Sequence, residues 1–144
     1  MYEWCRKYVG ISFVSGGRDE NGCDCYGLVR FILMNEYGIV LPVLSGDYTD
    51  ALNVSETKNL FFENVPFLCS EKIPGPEEKA VALMKMCGRL CHVGLYAGDG
   101  FIIHSRHKVG VVCERITSPQ LAGCVERWYR VNPCYSMSQS VLNR

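Results

Sequence analysis

Between positions 24 and 38 the apolar residues recur at helical spacing, with Leu28, Val29, Ile32 and Leu33 on one face. Asp24 stands where an N-cap belongs and Gly38 where a helix stops, so the pattern predicts a helix over that span. Residues 2 to 9 predict a shorter helix, with Tyr2, Cys5, Tyr8 and Val9 on one face. Residues 10 to 23 read as a Gly- and Ser-rich loop, and Pro42 to Asp50 as a second loop. Ser55 to Asn64 predicts a third helix burying Leu60 and Phe61, and Pro66 to Glu78, with three prolines, predicts irregular chain. From residue 81 onward the pattern changes to strands: Val81–Met86, Leu90–Tyr96, Phe101–Ser105, Val109–Arg115 and Trp128–Val131. Turns are expected at 87 to 89 and 97 to 100. Helices first and an antiparallel meander second define an α+β domain, with N-terminal helices packed on an antiparallel sheet.

The chain has 144 residues, enough for one domain over 1–135 followed by a polar tail over 136–144. A domain of this size buries roughly two-thirds of its unfolded surface and needs no staples. Fifteen basic residues balance fifteen acidic ones, which leaves no electrostatic footprint for nucleic acid. No apolar run approaches the ~20 residues of a membrane helix, so no membrane insertion is expected. The start, Met1-Tyr2-Glu3-Trp4-Cys5-Arg6, lacks the basic-then-apolar order of a signal peptide, so synthesis and folding in the cytoplasm are expected. In that compartment most of the nine cysteines read as reduced, buried, small hydrophobes.

Cys25 is different by position. It follows a Gly-rich loop and opens the central helix, where the partial positive charge of the helix end favours a thiolate. Asp24 caps that end, and Gly27 leaves room beside the sulfur. Alone, such a residue reads as a buried thiol. His92 alters that reading: strand alternation sets it on the face opposite Cys91, Val93 and Leu95, beside Gly94, where something can approach the backbone closely. His104 lies twelve residues on, in the other arm of the same hairpin. A loop of two or four residues turns it to the wrong face, whereas a three-residue loop sets it opposite His92 or Gly94. Gly98-Asp99-Gly100 suits the three-residue case. Cysteine, histidine and a second histidine then supply nucleophile, base and orienting group. His107, past the strand, reads as solvated. A zinc site is the competing reading for the Cys and His residues, but Cys23-x-Cys25 is too tightly spaced for it. No metal and no cofactor is expected.

These residues resemble the NlpC/P60 family of cysteine peptidases. The resemblance rests on Asp24-Cys25-Tyr26-Gly27-Leu28-Val29, on His92-Val93-Gly94-Leu95-Tyr96, and on Gly98-Asp99-Gly100-Phe101-Ile102-Ile103-His104, and runs from about Trp4 to about Ile116. It implies a papain-like fold and hydrolysis of peptidoglycan stem peptides, often between D-γ-glutamate and diaminopimelate. It also implies that Cys25 attacks the carbonyl, His92 exchanges the proton and His104 orients His92, with the Cys25 backbone N–H helping to hold the oxyanion. The sequence is most similar to stand-alone members encoded with phage tail genes, which share Gly16-Gly17-Arg18-Asp19 and the Glu36-Tyr37-Gly38-Ile39 to Leu41-Pro42 helix end. That implies association with other tail proteins and with the virion tail. The alternatives are a structural tail component keeping an unused peptidase fold, and a papain-like acyltransferase or amidase. Many family members carry a tyrosine twelve residues before the cysteine; here that position is Phe13, with no hydroxyl. Arg18 reads either as a two-pronged partner for a substrate carboxylate or as an exposed loop arginine.

Overall fold

The computed structural model describes residues 1–41, 69–86 and 89–131. The loop expected over 42–50, the helix over 55–64 and the tail over 136–144 lie outside the described residues.

The central helix forms as its periodicity dictates. Helix α1 spans Cys25–Tyr37 and buries Leu28, Val29, Ile32 and Leu33. Gly38 ends it in the left-handed conformation (φ 65°), which costs a glycine no Cβ clash. The Ile39 N–H reaches back to the Leu33 carbonyl at 3.0 Å and the Gly38 N–H to Met34 at 3.2 Å, which satisfies the last-turn acceptors. Upstream, a two-stranded ribbon pairs β1 (Arg18–Asp19) with β2 (Gly22–Cys23) and delivers the chain to the helix start.

The second half is one six-stranded sheet. Its strands are β3 (Cys69–Ile73), β4 (Val81–Met86), β5 (Arg89–Gly98), β6 (Phe101–Arg106), β7 (Gly110–Arg115) and β8 (Val125–Val131). They lie in the order β3-β8-β4-β5-β6-β7, and every pairing is antiparallel. The meander therefore holds from β4 to β7, while β8 returns to the far side of β4. Two apolar layers sandwich the sheet. On one side Val81, Leu83, Val93, Leu95, Ile103 and Val111 meet α1, and on the other Ala82, Met84, Ile102 and Trp128 meet Ile73 and Leu121. Leu28, Ile32 and Leu33 are fully excluded from water, and truncating one to alanine costs about 2–5 kcal/mol.

Three expectations need correction. The stretch 66–78 contains a strand, β3, running between Pro66 and Pro74. It is an edge strand, where a charged residue such as Lys72 is tolerated, so its pattern does not advertise itself. The N-terminal helix is a single 3-10 segment, Glu3–Lys7, closed by the Tyr8 N–H on the Cys5 carbonyl at 3.1 Å and pinned by the Tyr2 N–H on the Ala97 carbonyl at 2.7 Å. The β5–β6 connection is a two-residue turn of Asp99 (φ 53°) and Gly100 (φ 80°), not a three-residue loop. A one-residue shift between Tyr96 and Gly98 restores the register the longer loop would have given, with Leu95 opposite Ile103.

Candidate active site

That bulge sets the geometry of the two histidines. Continuing the Leu95–Ile103 register puts His104 opposite Gly94, next to His92 on the same strand face. A side chain at Gly94 would run into Ile102 Cγ2 at 2.7 Å and His104 Cβ at 3.3 Å, so the glycine admits β6 itself. His92 Nε2 then lies 2.8 Å from His104 Nδ1, with the two rings edge-on.

The chain of contacts continues beyond the pair. His104 is fully buried, and its Nε2 lies 2.9 Å from Glu114 Oε2. The other carboxylate oxygen of Glu114 accepts from Arg106 Nη1 at 3.0 Å. Glu114 is the residue sequence reasoning missed. It faces Ile102 across β6–β7, diagonal to His104, which faces Val112. A signal existed: the register arithmetic applied to β5–β6, extended through the turn at 107–109, sets Glu114 on the His104 face. Burial pushes the His92 imidazole down to about 3, helped by the neighbouring His104 and Arg106. Burial also lowers His104, against the opposing pull of Glu114. Both rings are therefore neutral near pH 7.

Cys25 belongs to the element packed against these strands. It is the first residue of α1, and α1 packs against β5 and β6. Ser105, beside His104, donates its hydroxyl to the Cys23 carbonyl at 2.7 Å, which ties the helix entry to β6. Asp24 is fully buried; its Oδ1 caps the helix by accepting from the Gly27 N–H at 2.7 Å, and its Oδ2 accepts from the Gly16 N–H at 2.9 Å. Arg18 is not an exposed loop arginine: its side chain is only 14% exposed. Its Nη1 donates to Asp24 Oδ1 at 2.9 Å and to the Gly17 carbonyl at 3.0 Å, and its guanidinium lies over the Tyr26 ring. Gly27, expected to leave room beside the sulfur, leaves it for this loop: a Cβ there would strike the Gly17 carbonyl and meet Arg18 Nη1 at 2.8 Å.

Three other thiols, those of Cys5, Cys23 and Cys113, are raised above their ordinary range. Cys23 donates to the Asp19 carbonyl at 3.1 Å, and burial with Asp24 nearby pushes its thiol up to about 12. Burial likewise raises Cys5, and lifts Cys113 to about 12. Phe13 bridges to Cys23 and packs edge-on against the exposed His107, with ring centroids 5.4 Å apart. Among the described residues no group of three or more His, Cys, Asp or Glu side chains is placed to hold a metal ion.

A helix-start cysteine packed on an antiparallel sheet that carries paired histidines defines the papain-like α+β class. The sequence model of the NlpC/P60 family matches residues 10–125. Among solved structures, the NlpC/p60 domain of the peptidoglycan hydrolase SagA is 20% identical, with a TM-score of 0.58 over 88% of this chain and 92% of that one. An NlpC/P60 family protein from Bacillus cereus is also 20% identical, with a TM-score of 0.60 over 90% of this chain and 38% of that one. NlpC2 from Trichomonas vaginalis is 16% identical, with a TM-score of 0.59 over 88% of this chain and 44% of that one. The chain thus spans nearly all of the SagA domain but less than half of the two longer proteins. No curated protein matches the sequence. The chain belongs to the NlpC/P60 family.

Proposed function

We propose that the protein is a cysteine endopeptidase acting on peptidoglycan stem peptides, at a D-γ-glutamyl–diaminopimelate type of bond. The observation that carries this is the His92–His104–Glu114 chain, with His104 fully buried, on strands against which a capped, cysteine-bearing helix packs. In this reading Cys25 Sγ attacks the carbonyl carbon while His92 takes the thiol proton. The Cys25 backbone N–H, at the positive end of α1, stabilises the oxyanion. His92 returns the proton to the departing amine, leaving a thioester. Water, deprotonated by His92, then releases the carboxylate product and restores the thiol. Because burial keeps His92 neutral, its imidazole is free to accept the thiol proton.

Mass spectrometry of purified muropeptides after incubation tests this. Wild type should split the stem peptide, and Cys25→Ala and His92→Ala should each abolish cleavage, since both act in one proton-transfer step. Full activity in Cys25→Ala would sink the assignment.

A phage-tail location belongs to the same proposal. It is supported by the Gly16–Asp19 loop and the Glu36–Pro42 helix end, which resemble those of family members encoded with tail genes. Proteomic analysis of purified virions should find the chain; its absence from them would refute the location and leave the chemistry standing.

A further inference from the structure

Resting on that peptidase reading, we infer that Glu114, clamped by Arg106, is a positioning residue that selects which nitrogen of His92 can act as the base. A carboxylate paired with a guanidinium has only acceptors to offer. Its Oε1 takes the Arg106 Nη1 hydrogen at 3.0 Å, so its Oε2, 2.9 Å from His104 Nε2, requires the hydrogen of that contact to sit on Nε2.

A neutral imidazole carries one N–H. With Nε2 protonated, His104 Nδ1 is a lone pair, and the 2.8 Å contact with His92 Nε2 must be donated by His92. His92 in turn has its single hydrogen on Nε2, and Nδ1 is left as the lone pair that can accept a thiol proton. The information travels through three side chains: acceptor-only carboxylate, fixed tautomer, fixed tautomer. The reverse assignment would place a hydrogen on His92 Nδ1 and remove the base. Burial protects the arrangement, because His104 is fully excluded from water and Glu114 is only 18% exposed, so solvent cannot readily replace the carboxylate. Burial also holds His104 in the neutral form on which the logic depends.

The isosteric variant Glu114→Gln is the sharp test. Its single carbonyl oxygen goes to Arg106, a donor that cannot accept, which turns the amide NH2 toward His104 Nε2. The relay then inverts at every step. The chain holds only three histidines, and one of them, His107, is exposed, so nitrogen-15 NMR of the histidine-labelled full chain can assign each ring. In wild type at pH 7.5, His92 and His104 should both show protonated Nε2 and bare Nδ1. In Glu114→Gln both should move to protonated Nδ1, and kcat on muropeptides should fall at least roughly tenfold with KM little changed. Wild-type His92 carrying its hydrogen on Nδ1 would overturn the inference, whatever the variant does. So would a folded Glu114→Gln with unchanged tautomers and kcat within twofold of wild type. The NMR measurement needs no substrate. Correct tautomers without muropeptide cleavage would defeat the proposed peptidase activity and leave the relay intact, whereas cleavage with the wrong tautomer would do the opposite.

Discussion

The Arg18–Asp24 pair offers a quantitative test of how the helix start is built. Asp24 is 1% exposed at its side chain and Arg18 14%, so the pair is effectively buried. Asp24→Ala removes the Gly27 cap, worth about 0.5–2 kcal/mol, and withdraws the carboxylate from a guanidinium that water hardly reaches. Losing one partner of a buried ion pair costs about 3–5 kcal/mol, so the variant should be destabilised by at least about 3 kcal/mol. Arg18→Ala should cost less, about 1–3 kcal/mol, because Asp24 keeps two backbone donors at Gly16 and Gly27. The double variant should cost less than the two singles together, with a coupling of about 1–3 kcal/mol. Urea unfolding of the four proteins at pH 7 measures the cycle. A coupling under about 0.5 kcal/mol would show that the 2.9 Å contact does not hold the loop. Stability unchanged in Arg18→Ala, with KM for a carboxylate-bearing muropeptide raised, would mean that Arg18 serves the substrate and not the helix cap.

Selective alkylation at pH 7 should modify Cys25 ahead of Cys5, Cys23 and Cys113, whose thiols burial pushes up; peptide mapping showing Cys23 modified first would contradict this. Because the folded His92 pKa is depressed from 6.5 to about 3, the unfolded chain binds the proton first, so stability is complete above the unfolded pKa and is lost as pH falls below about 6.5. Between pH 6.5 and 5 the loss from this group is at most about 2 kcal/mol, and thermal melts across that range should show a smaller loss in His92→Gln. For the same reason the acid limb of kcat/KM should lie below pH 6.5, and a limb at or above that value would argue against a neutral, buried base. His104→Ala should lower kcat less than His92→Ala does, and His104→Asn should retain part of it, since an amide oxygen still accepts from the His92 ring; equal loss in all three would deny His104 an orienting role. Phe13→Tyr should raise turnover, by up to ~10²-fold if its hydroxyl reaches the oxyanion; unchanged steady-state rates would mean that packing on His107 aims the ring elsewhere.

What the sequence made legible were features set by local rules. Helix α1 carries its own cap, period and stop in Asp24, Leu28 to Leu33 and Gly38, so its bounds follow from neighbours in the chain. The strands β4 to β7 are short, largely apolar runs bounded by turn residues, so they can be seen singly. Strand β3 was hidden because an edge strand beside prolines needs little alternation, and the partner that reveals it, β8, lies more than fifty residues away. The Arg18–Asp24 pair was hidden for a similar reason: the two are close in sequence, but only the fold of the β1–β2 ribbon brings them together. Glu114 depends on two successive registers, and each adds an uncertainty that one sequence does not resolve.

The two hairpin turns also explain why a site of this kind tolerates so little slippage. Moving β6 by one residue against β5 would turn His104 into the apolar layer beside Val93 and Leu95 and bring Ile103 against His92. The bulge before Gly98 is therefore part of the candidate site. It converts a two-residue turn, which alone would set the wrong parity, into the register the histidine pair requires. The same reasoning applies one strand further on, where the turn at 107–109 keeps Glu114 on the His104 face. The geometry of the histidine pair is fixed by backbone counting before any side-chain interaction contributes, and the contacts from His92 to Glu114 stabilise an alignment that the turns have already made.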